Sequence, residues 1–290
     1  MKIKIVTDSN CELSKEYVVE NNIHVVPFSF QVSGIEYEDN FGRELSYLEF
    51  YRKLRNCEVS STTQITPFTF EEIFDEYVTE GYAVIYFGFS SALSETFNCA
   101  QIARNTIISR NKNADITVFD TRSASAGQGL LVHYAADMIK KGSTKDEIVD
   151  RLEILRMYEN TLFIVDNLEH LKRGGRISAT NAALGYLLEI KPILELNYEG
   201  KIVVADKVRG RKKSIKHLSD KFGELASEKE SQTVFIHHAD CVGEAEFLKT
   251  LITKEYKIKE IYINEMGPVI GSHAGPGSIA IAFVGSKLQK

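Results

Sequence analysis

Strand and helix patterns alternate along the first half of the chain. Lys2–Val6 alternates polar and apolar residues, and Ala83–Phe87 is a continuous apolar run, which is typical of a central strand buried on both faces. Thr66 followed by Pro67 is a typical helix start, because proline at the first helical position loses no hydrogen bond. This βαβ rhythm predicts a parallel sheet with helices on both faces. The other elements predicted in this half are helices over Glu12–Glu20, Ser94–Ser109 and Gly127–Lys141, a helix after the capping box Thr144–Glu147, and strands over Ile23–Phe30 (interrupted by Pro27) and Ile116–Phe119.

The pattern changes near residue 160. Ile190–Leu196 and Lys201–Lys207 flank a hairpin-type turn at Tyr198–Gly200. Further strands are predicted over Leu162–Val165, Thr233–His237, Ile258–Ile263 and Ser278–Val284. We therefore expect two α/β domains, residues 1–160 and 161–290, with the boundary between about 155 and 165. The first is predicted to be a three-layer domain on a parallel sheet, and the second a two-layer domain on a mixed sheet.

Composition narrows the class of protein. A chain of 290 residues suggests two domains, at roughly 150 residues per domain. The formal net charge of -5 argues against a protein that binds nucleic acid or a membrane surface as a whole. No apolar run approaches the roughly 20 residues of a membrane span, and no signal peptide is apparent. The 4 cysteines are scattered without a CxxC pair, which predicts reduced thiols in a soluble cytoplasmic protein.

Hydroxyl side chains cluster where predicted strands of the first half end. The clusters are Thr7–Ser9, Ser90–Ser94 and Thr121–Ser125, with Ser60–Thr63 in a loop before the Thr66 helix. Ligands of such sheets bind outside the carboxyl ends of the strands, where helix N-termini also lie. Neutral donors in that position suit a carboxylate or a phosphate, although each cluster alone is equally explained by caps and turns. Ser94 in particular is predicted to be an N-cap.

The usual catalytic and metal-binding patterns are missing. The chain has no GxGxxG after its first strand, no GxxxxGK[ST] and no GxSxG. His237 and His238 are adjacent on a predicted strand, so they point to opposite faces and do not suit one metal ion. Gly127–Gly129 lies at a helix start and indicates close packing. We expect no catalytic residues, no metal and no cofactor.

The second half contains a local excess of basic residues. Ten basic and four acidic side chains lie between Lys172 and Lys213, which most often indicates a solvated face. Arg173 and Arg176 flank a Gly-Gly turn, where the backbone can approach a ligand or partner closely. His273 lies between a strand end and a Gly-Pro-Gly turn, and we expect it to be exposed.

Taken together, these segments resemble the DegV family, which includes the fatty-acid-binding subunits of bacterial fatty acid kinase. The resemblance runs in order along almost the whole chain. The segments that carry it are Thr7–Ser9, Val25–Pro27, Thr62–Gln64, Ser90–Ser94, Gly127–Gly129, Leu171–Ser178, Ile190–Leu194, Lys207–Lys212 and Gly267–Gly277.

The resemblance implies a protein that carries a long-chain fatty acid such as palmitate, stearate or oleate in a tunnel. It would present the carboxyl group to a separate ATP-dependent kinase subunit, which makes an acyl phosphate for phospholipid synthesis, and it would not itself be an enzyme. Arg173 and Arg209 would face the kinase, and the Ala179–Leu188 helix would line the tunnel or belong to the core. The carboxylate would be bound by residues from the set Thr62, Thr63, Ser90, Ser91, Ser94, His273 and Arg176.

Two segments depart from the family pattern. Ser94-Glu95-Thr96 stands where Ser-Gly-Thr is usual, and Thr63-Gln64-Ile65 stands where Ser-Gln-Pro is usual. Glu95 would favour the helix dipole in the first turn of a helix, but it would repel a bound carboxylate if it faced the site.

Two other classes of function remain open from the residues alone. The protein could be a stand-alone enzyme that acts on a small phosphorylated or carboxylated substrate, with His273 and either Asp8 or Asp120 as acid–base partners. It could also bind nucleic acid through Lys207–Lys213, although this run contains no aromatic residue for stacking.

Overall fold

The computed structural model describes residues 2–177 and 190–286, so the segment predicted as the Ala179–Leu188 helix lies outside the described residues. The elements in chain order are β1 (Lys2–Asp8), α1 (Lys15–Glu20), β2 (His24–Val26), β3 (Ser29–Val32), β4 (Ile35–Glu38), α2 (Tyr47–Arg55), β5 (Ser60–Thr63), α3 (Pro67–Thr79), β6 (Tyr82–Gly88), α4 (Thr96–Arg110), β7 (Ile116–Asp120), α5 (Ala126–Lys140), α6 (Lys145–Leu155), β8 (Glu159–Ile164), α7 (Glu169–Arg173), β9 (Ile190–Leu196), β10 (Ile202–Arg209), α8 (Arg211–Leu225), β11 (Thr233–His238), α9 (Val242–Glu255), β12 (Glu260–Glu265), α10 (Pro268–Ala274) and β13 (Ile279–Val284).

The first half is built on a parallel sheet, as predicted. Its strand order is β2-β1-β6-β7, and all three pairings are parallel. The apolar run Ala83–Phe87 lies in β6 between β1 and β7 and is fully buried, because both faces of this strand are covered. Helices α3 and α4 cover one face of the sheet, and α5 covers the other.

The second half is built on a mixed sheet, also as predicted. The strand order is β10-β9-β8-β13-β11-β12, in which β11 and β12 pair in parallel and the other neighbours are antiparallel. The predicted hairpin joins β9 and β10. Helices α8 and α9 pack together on one face of this sheet.

Helix α5 lies between the two sheets and contacts strands of both. Two glycines make this close packing possible. A Cβ on Gly127 would lie 2.2 Å from Thr161 Oγ1 of β8, and a Cβ on Gly129 would lie 2.7 Å from the Cys11 carbonyl oxygen. One apolar cluster around this helix includes Phe235 and Ala282 together with the core of the first half. The boundary near residue 160 stays a prediction.

The strand predicted over Ile23–Phe30 with an interruption at Pro27 is two strands that belong to different sheets. His24–Val26 pairs with β1, whereas Ser29–Val32 is the central strand of a small antiparallel sheet with the order β4-β3-β5. Ser60–Thr63, expected in a loop, is the third strand of this sheet. The strand over Ser60–Thr63 matters for function, because successive side chains of a strand point to opposite faces. Thr62 and Thr63 therefore do not share one face.

Helix starts were predicted well where a local cap exists. The Thr66 and Thr144 side chains accept hydrogen bonds from the N–H groups of Thr69 and Glu147, and the capping box at Thr144 is complete. The helix predicted from Glu12 begins only at Lys15, because a 3-10 turn over Ser9–Cys11 precedes it. In the described part of the chain, no helix is long and apolar enough to cross a membrane.

Candidate functional site

A cavity of about 370 Å³ lies where the carboxyl ends of the parallel strands meet the second sheet and α10. Its walls come from both halves of the chain and are mostly apolar. The apolar lining comprises Phe28, Phe89, Ala92, Leu93, Ala124, Phe163, Leu171, Leu196, Ile202, Met266, Val269, Ile270, Ala274 and Ala280. An apolar cavity of this size with a few convergent polar groups is the usual form of a small-ligand site.

Thr62 and His273 form the main polar pair of this cavity. Thr62 Oγ1 and His273 Nε2 share a hydrogen bond of 2.9 Å, which joins β5 to α10. Thr63, the next residue of the strand, is exposed and is not among the described residues that line the cavity. Because side chains alternate between the two faces of β5, Thr62 lines the cavity and Thr63 does not. The sequence alone did not distinguish these two threonines.

His273 is not exposed, contrary to the expectation from the sequence. It lies in the last turn of α10 and is half-buried. Burial, reinforced by the positive charges of Arg176 and Arg173, lowers the pKa of His273 to about 4. The imidazole is therefore neutral near pH 7. Within the described residues its Nδ1 atom is buried without a hydrogen-bond partner.

The Gly-Gly turn fixes the position of the His273 ring. A Cβ on Gly174 would lie 2.2 Å from His273 Nδ1, so the ring packs directly against this backbone. Gly175 has no such neighbour among the residues that the structure describes, but its φ of +71° lies in the left-handed region that favours glycine. The sequence predicted a close approach at this turn, and the structure identifies the histidine as what approaches it.

Arg176 supplies the cation of the cavity wall. Its Nε donates to the Leu93 carbonyl oxygen at 3.1 Å, and its NH1 donates to the Gly174 carbonyl oxygen at 2.5 Å. Burial lowers the pKa of Arg176, but a guanidinium stays charged at any physiological pH. Arg176 and His273 thus line the same cavity, one charged and one neutral.

The serines of the Ser90–Ser94 segment have different surroundings. Ser91 and Ser94 line the cavity. Ser90 does not: it is buried, and its hydroxyl donates to the Gly200 carbonyl oxygen at 2.8 Å. Glu95, rather than Ser94, occupies the N-cap position of α4, but Ser94 Oγ still accepts a hydrogen bond from the Thr96 N–H. Glu95 is exposed and lies along the cavity lining.

The two aspartates considered as acid–base partners of His273 have other contacts. Asp8 is fully buried and accepts hydrogen bonds from the Tyr86 hydroxyl, the Gln128 amide and two backbone N–H groups. Asp120 accepts from the backbone N–H and the hydroxyl of Ser91. Neither aspartate is among the described residues that line the cavity beside His273. Their contacts hold loops at the carboxyl ends of β1, β6 and β7.

A buried polar cluster, which the sequence did not reveal, lies behind the cavity. Ser125 Oγ is 2.9 Å from His237 Nδ1 and donates to Glu12 Oε2, and Glu12 Oε1 accepts from the Gly267 N–H at 2.7 Å. Burial raises the pKa of Glu12 to about 8 and lowers that of His237 to about 3. Ser125, which lines the cavity, has an unusual backbone conformation with φ of +52°.

The His237–His238 pair, expected not to bind one metal ion, lies inside the protein. Both rings are buried on β11, and no group of three or more possible metal ligands exists within residues 2–177 and 190–286.

Two residues of the basic segment of the second half, Lys191 and Arg211, pair with acidic residues from elsewhere in the chain. Arg211 contacts Asp166 and Glu244. Arg173 and Arg209 are exposed, at the ends of α7 and β10, and Arg173 NH2 lies 3.0 Å from His170 Nδ1. This arrangement does not resemble a continuous cationic surface for nucleic acid.

Comparisons with known proteins identify the family. A family model described as an uncharacterised protein of the DegV family matches residues 2–286. The chain is 44% identical over 284 residues to a DegV domain-containing protein of Clostridium perfringens, covering 98% of both chains.

Two solved structures have the same fold. One is described as showing fatty acid binding of a DegV family protein from Thermus thermophilus. It has a TM-score of 0.89 and 31% identity, with 98% of this chain and 100% of that one covered. The other, from Bacillus subtilis, is described as DegV, a fatty acid binding protein, and has a TM-score of 0.83 and 32% identity, with 97% and 98% covered. The chain belongs to the DegV family.

Proposed function

We propose that this protein binds a long-chain fatty acid in the cavity and presents its carboxyl group to a separate ATP-dependent kinase subunit. The observation that carries the proposal is the Thr62–His273 hydrogen bond beside Arg176 on the wall of a mostly apolar cavity. Such a site matches a ligand that has one anionic group and a long hydrocarbon chain.

In this proposal the head group is bound by Thr62, His273, Arg176 and Ser94. The neutral imidazole donates its Nε2–H to Thr62 Oγ1, which leaves the Thr62 O–H to donate to the carboxylate, and the guanidinium compensates the negative charge of the carboxylate. Hydrogen bonds to a charged group contribute about 1.5–3 kcal/mol each. The acyl chain contributes about 0.8 kcal/mol for each CH₂ group that leaves water. Glu95 is exposed at the cavity lining, where water screens the repulsion between its charge and the bound carboxylate.

The similarity to fatty-acid-binding proteins supports the ligand class. The Thermus thermophilus and Bacillus subtilis proteins, both over 30% identical along nearly the whole chain, are described as binding fatty acids. The cavity described above has the lining that such a ligand requires.

Presentation to a kinase subunit rests on the surface beyond the cavity. Arg173 and Arg209 are exposed, while Arg176, three residues after Arg173, lines the cavity. The charge of Arg173 acts on His273, so this exposed arginine lies beside the site, where it suits docking of an acidic surface on the partner. The partner would transfer the phosphoryl group of ATP to the carboxylate, and this chain would act as a non-catalytic carrier with no cofactor of its own.

Native mass spectrometry of the purified protein tests this function. We expect a co-purifying mass of one long-chain fatty acid per chain, which is replaced when another fatty acid is added in excess. A protein that carries no lipid and does not bind added palmitate, stearate or oleate contradicts the proposal. Adding ATP and the kinase subunit to the loaded protein should then produce an acyl phosphate.

A further inference from the structure

A second cavity, of about 380 Å³, lies between α1, α5 and β12, the outer strand of the second sheet. Helix α5 contributes His133, Asp137 and Lys140, which share one face because they follow at intervals of four and three residues. Tyr17 of α1 and Tyr262 of β12 contribute aromatic rings. No described residue lines both this cavity and the first one, so the two are separate.

His133 presents an unpaired nitrogen to this second cavity. The residue is only 9% exposed, and its Nδ1 atom lies 2.8 Å from the Tyr17 hydroxyl oxygen. Its Nε2 atom has no hydrogen-bond partner within residues 2–177 and 190–286, but it keeps surface that water can reach. Because His133 is otherwise covered by protein and lines the cavity, this nitrogen faces into it. A ligand atom can therefore come within hydrogen-bond distance of Nε2.

The His133 ring can act as a hydrogen-bond acceptor there. Burial lowers its pKa from 6.5, and the nearby charges of Glu260 and Asp137 only partly oppose this, so the ring is neutral near pH 7. A phenol hydroxyl can both donate and accept, so the contact with Tyr17 allows the single ring proton to stay on Nδ1. The Nε2 lone pair is then free to accept a hydrogen bond from a ligand.

Carboxyl groups outnumber ammonium groups around the second cavity. The charged residues of its lining are Glu16, Glu20, Asp137, Glu260, Lys140 and Lys259. Lys140 lies 3.7 Å from Glu20. Asp137 pairs at 2.6 Å with Lys141, just after α5. Glu16, Glu260 and Lys259 have no ion pair in the described part of the chain. One negative charge therefore remains uncompensated, which favours a cationic ligand.

We propose that this second cavity binds a small organic primary ammonium ion, whose N–H donates to His133 Nε2 and whose charge is balanced by Glu260. Glu260 and Tyr262 are two positions apart on β12, so their side chains share one face of the strand. The rings of Tyr17 and Tyr262, whose centroids are 5.8 Å apart, offer apolar surface to the carbon atoms of the ligand. A metal ion does not fit, because no group of three or more possible metal ligands exists in the part of the chain that the structure describes.

This ligand is independent of the fatty acid, since the two cavities share no lining residue among those described. It would contact α1 and α5 of the first half and β12 of the second. Because it would bind only the folded arrangement, it would also stabilise the packing of the two halves.

The test is a titration of the purified protein, at constant ionic strength, with n-butylammonium chloride, tetramethylammonium chloride, n-butanol and sodium butyrate. Proton–nitrogen NMR spectra of the histidine rings report on His133, whose signal is identified by its absence in His133→Phe. We expect n-butylammonium to shift this signal saturably and to bind about tenfold more tightly than tetramethylammonium, which carries the charge but no N–H. n-Butanol, which has no charge, should also bind more weakly than n-butylammonium.

Two carboxyl variants test the charge balance. Glu260→Gln keeps the size of the side chain but removes its charge, so the binding of n-butylammonium should weaken about threefold, a modest factor because the carboxylate is exposed to water. Glu72→Gln is the matched control, at an exposed carboxyl group of α3 outside the cavity lining, and it should bind like wild type.

Other outcomes overturn the proposal. The absence of a saturable shift of the His133 signal would mean that the cavity holds no ammonium ligand. Equal binding of tetramethylammonium would assign the cation to the rings alone, and binding of butyrate would mean that Nε2 carries the ring proton. Unchanged binding in Glu260→Gln would remove the charge balance from the proposal. His133→Gln identifies the signal should His133→Phe not fold, and a failure of fatty acid binding would leave this result unaffected.

Discussion

Thr62 and His273 lie 211 positions apart in the sequence, and their side chains are joined by a hydrogen bond of 2.9 Å. The imidazole is neutral near pH 7, since burial lowers the pKa of His273 to about 4. In the proposed complex, a carboxylate in the cavity would meet a neutral hydrogen-bonding pair, and Arg176, which lines the same cavity, would compensate its charge. The pair also connects the small sheet of the first half to a helix of the second.

The first prediction uses Thr62 and Thr63 as a matched pair. Thr62→Val removes the hydroxyl but keeps the shape, so fatty acid affinity should fall about tenfold or more through the lost hydrogen bonds to a charged group. Thr63→Val is the control, because that side chain is exposed and outside the cavity lining. Isothermal calorimetry with one fatty acid and a melting temperature without ligand check both variants. Equal affinities of the two variants would show that the Thr62 hydroxyl does not bind the head group.

The second prediction concerns the Gly-Gly turn. Gly174→Ala places a methyl group where only 2.2 Å separates it from His273 Nδ1, so the ring must move and the Thr62 hydrogen bond is lost. We expect a fall in fatty acid affinity. Gly175→Ala meets no atom of residues 2–177 and 190–286 within 4 Å but has φ of +71°, so it should cost stability by about 1–2 kcal/mol while affinity is kept. Urea unfolding and calorimetry separate the two effects, and the pattern fails if Gly174→Ala binds like wild type.

The third prediction is a pH dependence of stability that comes from Glu12. Burial raises its pKa from 4.5 to about 8, so the folded protein keeps a proton that the unfolded chain has lost. The contribution of Glu12 to the free energy of unfolding is fully present below pH 4.5 and is lost as the pH rises through about 8. Between about pH 7 and pH 8 the free energy of unfolding should fall with a slope of up to about 1.4 kcal/mol per pH unit.

Glu12→Gln is the variant that tests this dependence. Glutamine resembles the protonated acid, because its oxygen accepts from the Gly267 N–H and its amide donates, so the slope between about pH 7 and pH 8 should flatten. Glu16→Gln, at an exposed carboxyl group in α1, should keep the wild-type slope. Urea titrations at several pH values give the comparison, and parallel curves for Glu12→Gln and wild type would mean that Glu12 is ionised in the folded protein.

Features that depend on neighbouring residues were predictable from the sequence. The capping box at Thr144, the helix start at Thr66 and the buried strand at Ala83–Phe87 each depend on side chains within a few positions. The hairpin of β9 and β10 follows from one turn. The sheet types followed from the order of these local elements, because parallel strands need crossover helices.

Features that depend on distant pairing were not predictable. Thr62 and Thr63 differ only through the register of β5 on β3, where Thr62 lies opposite Phe30 and Thr63 opposite Ser29. Glu12 lies 225 positions from His237, and no local pattern marks a charged side chain for burial. The resemblance to the DegV family indicated which segments matter, but the side chains that share one cavity emerged only from the packing of both halves.

The last prediction separates binding from presentation, using Arg173 and Arg176. Arg176→Ala removes the cation of the cavity wall and should weaken fatty acid binding. Arg173→Ala and Arg209→Ala alter exposed residues and should leave it intact, but slow acyl-phosphate formation by the kinase subunit about tenfold, since interfacial arginines are frequent hot spots. Arg173→Ala and Arg209→Ala should each make the turnover of the kinase subunit less sensitive to salt. Calorimetry and a reconstituted kinase assay at two salt concentrations give the readouts. Loss of lipid binding in Arg173→Ala would put that residue in the head-group site, and unchanged turnover would make it an ordinary solvated side chain.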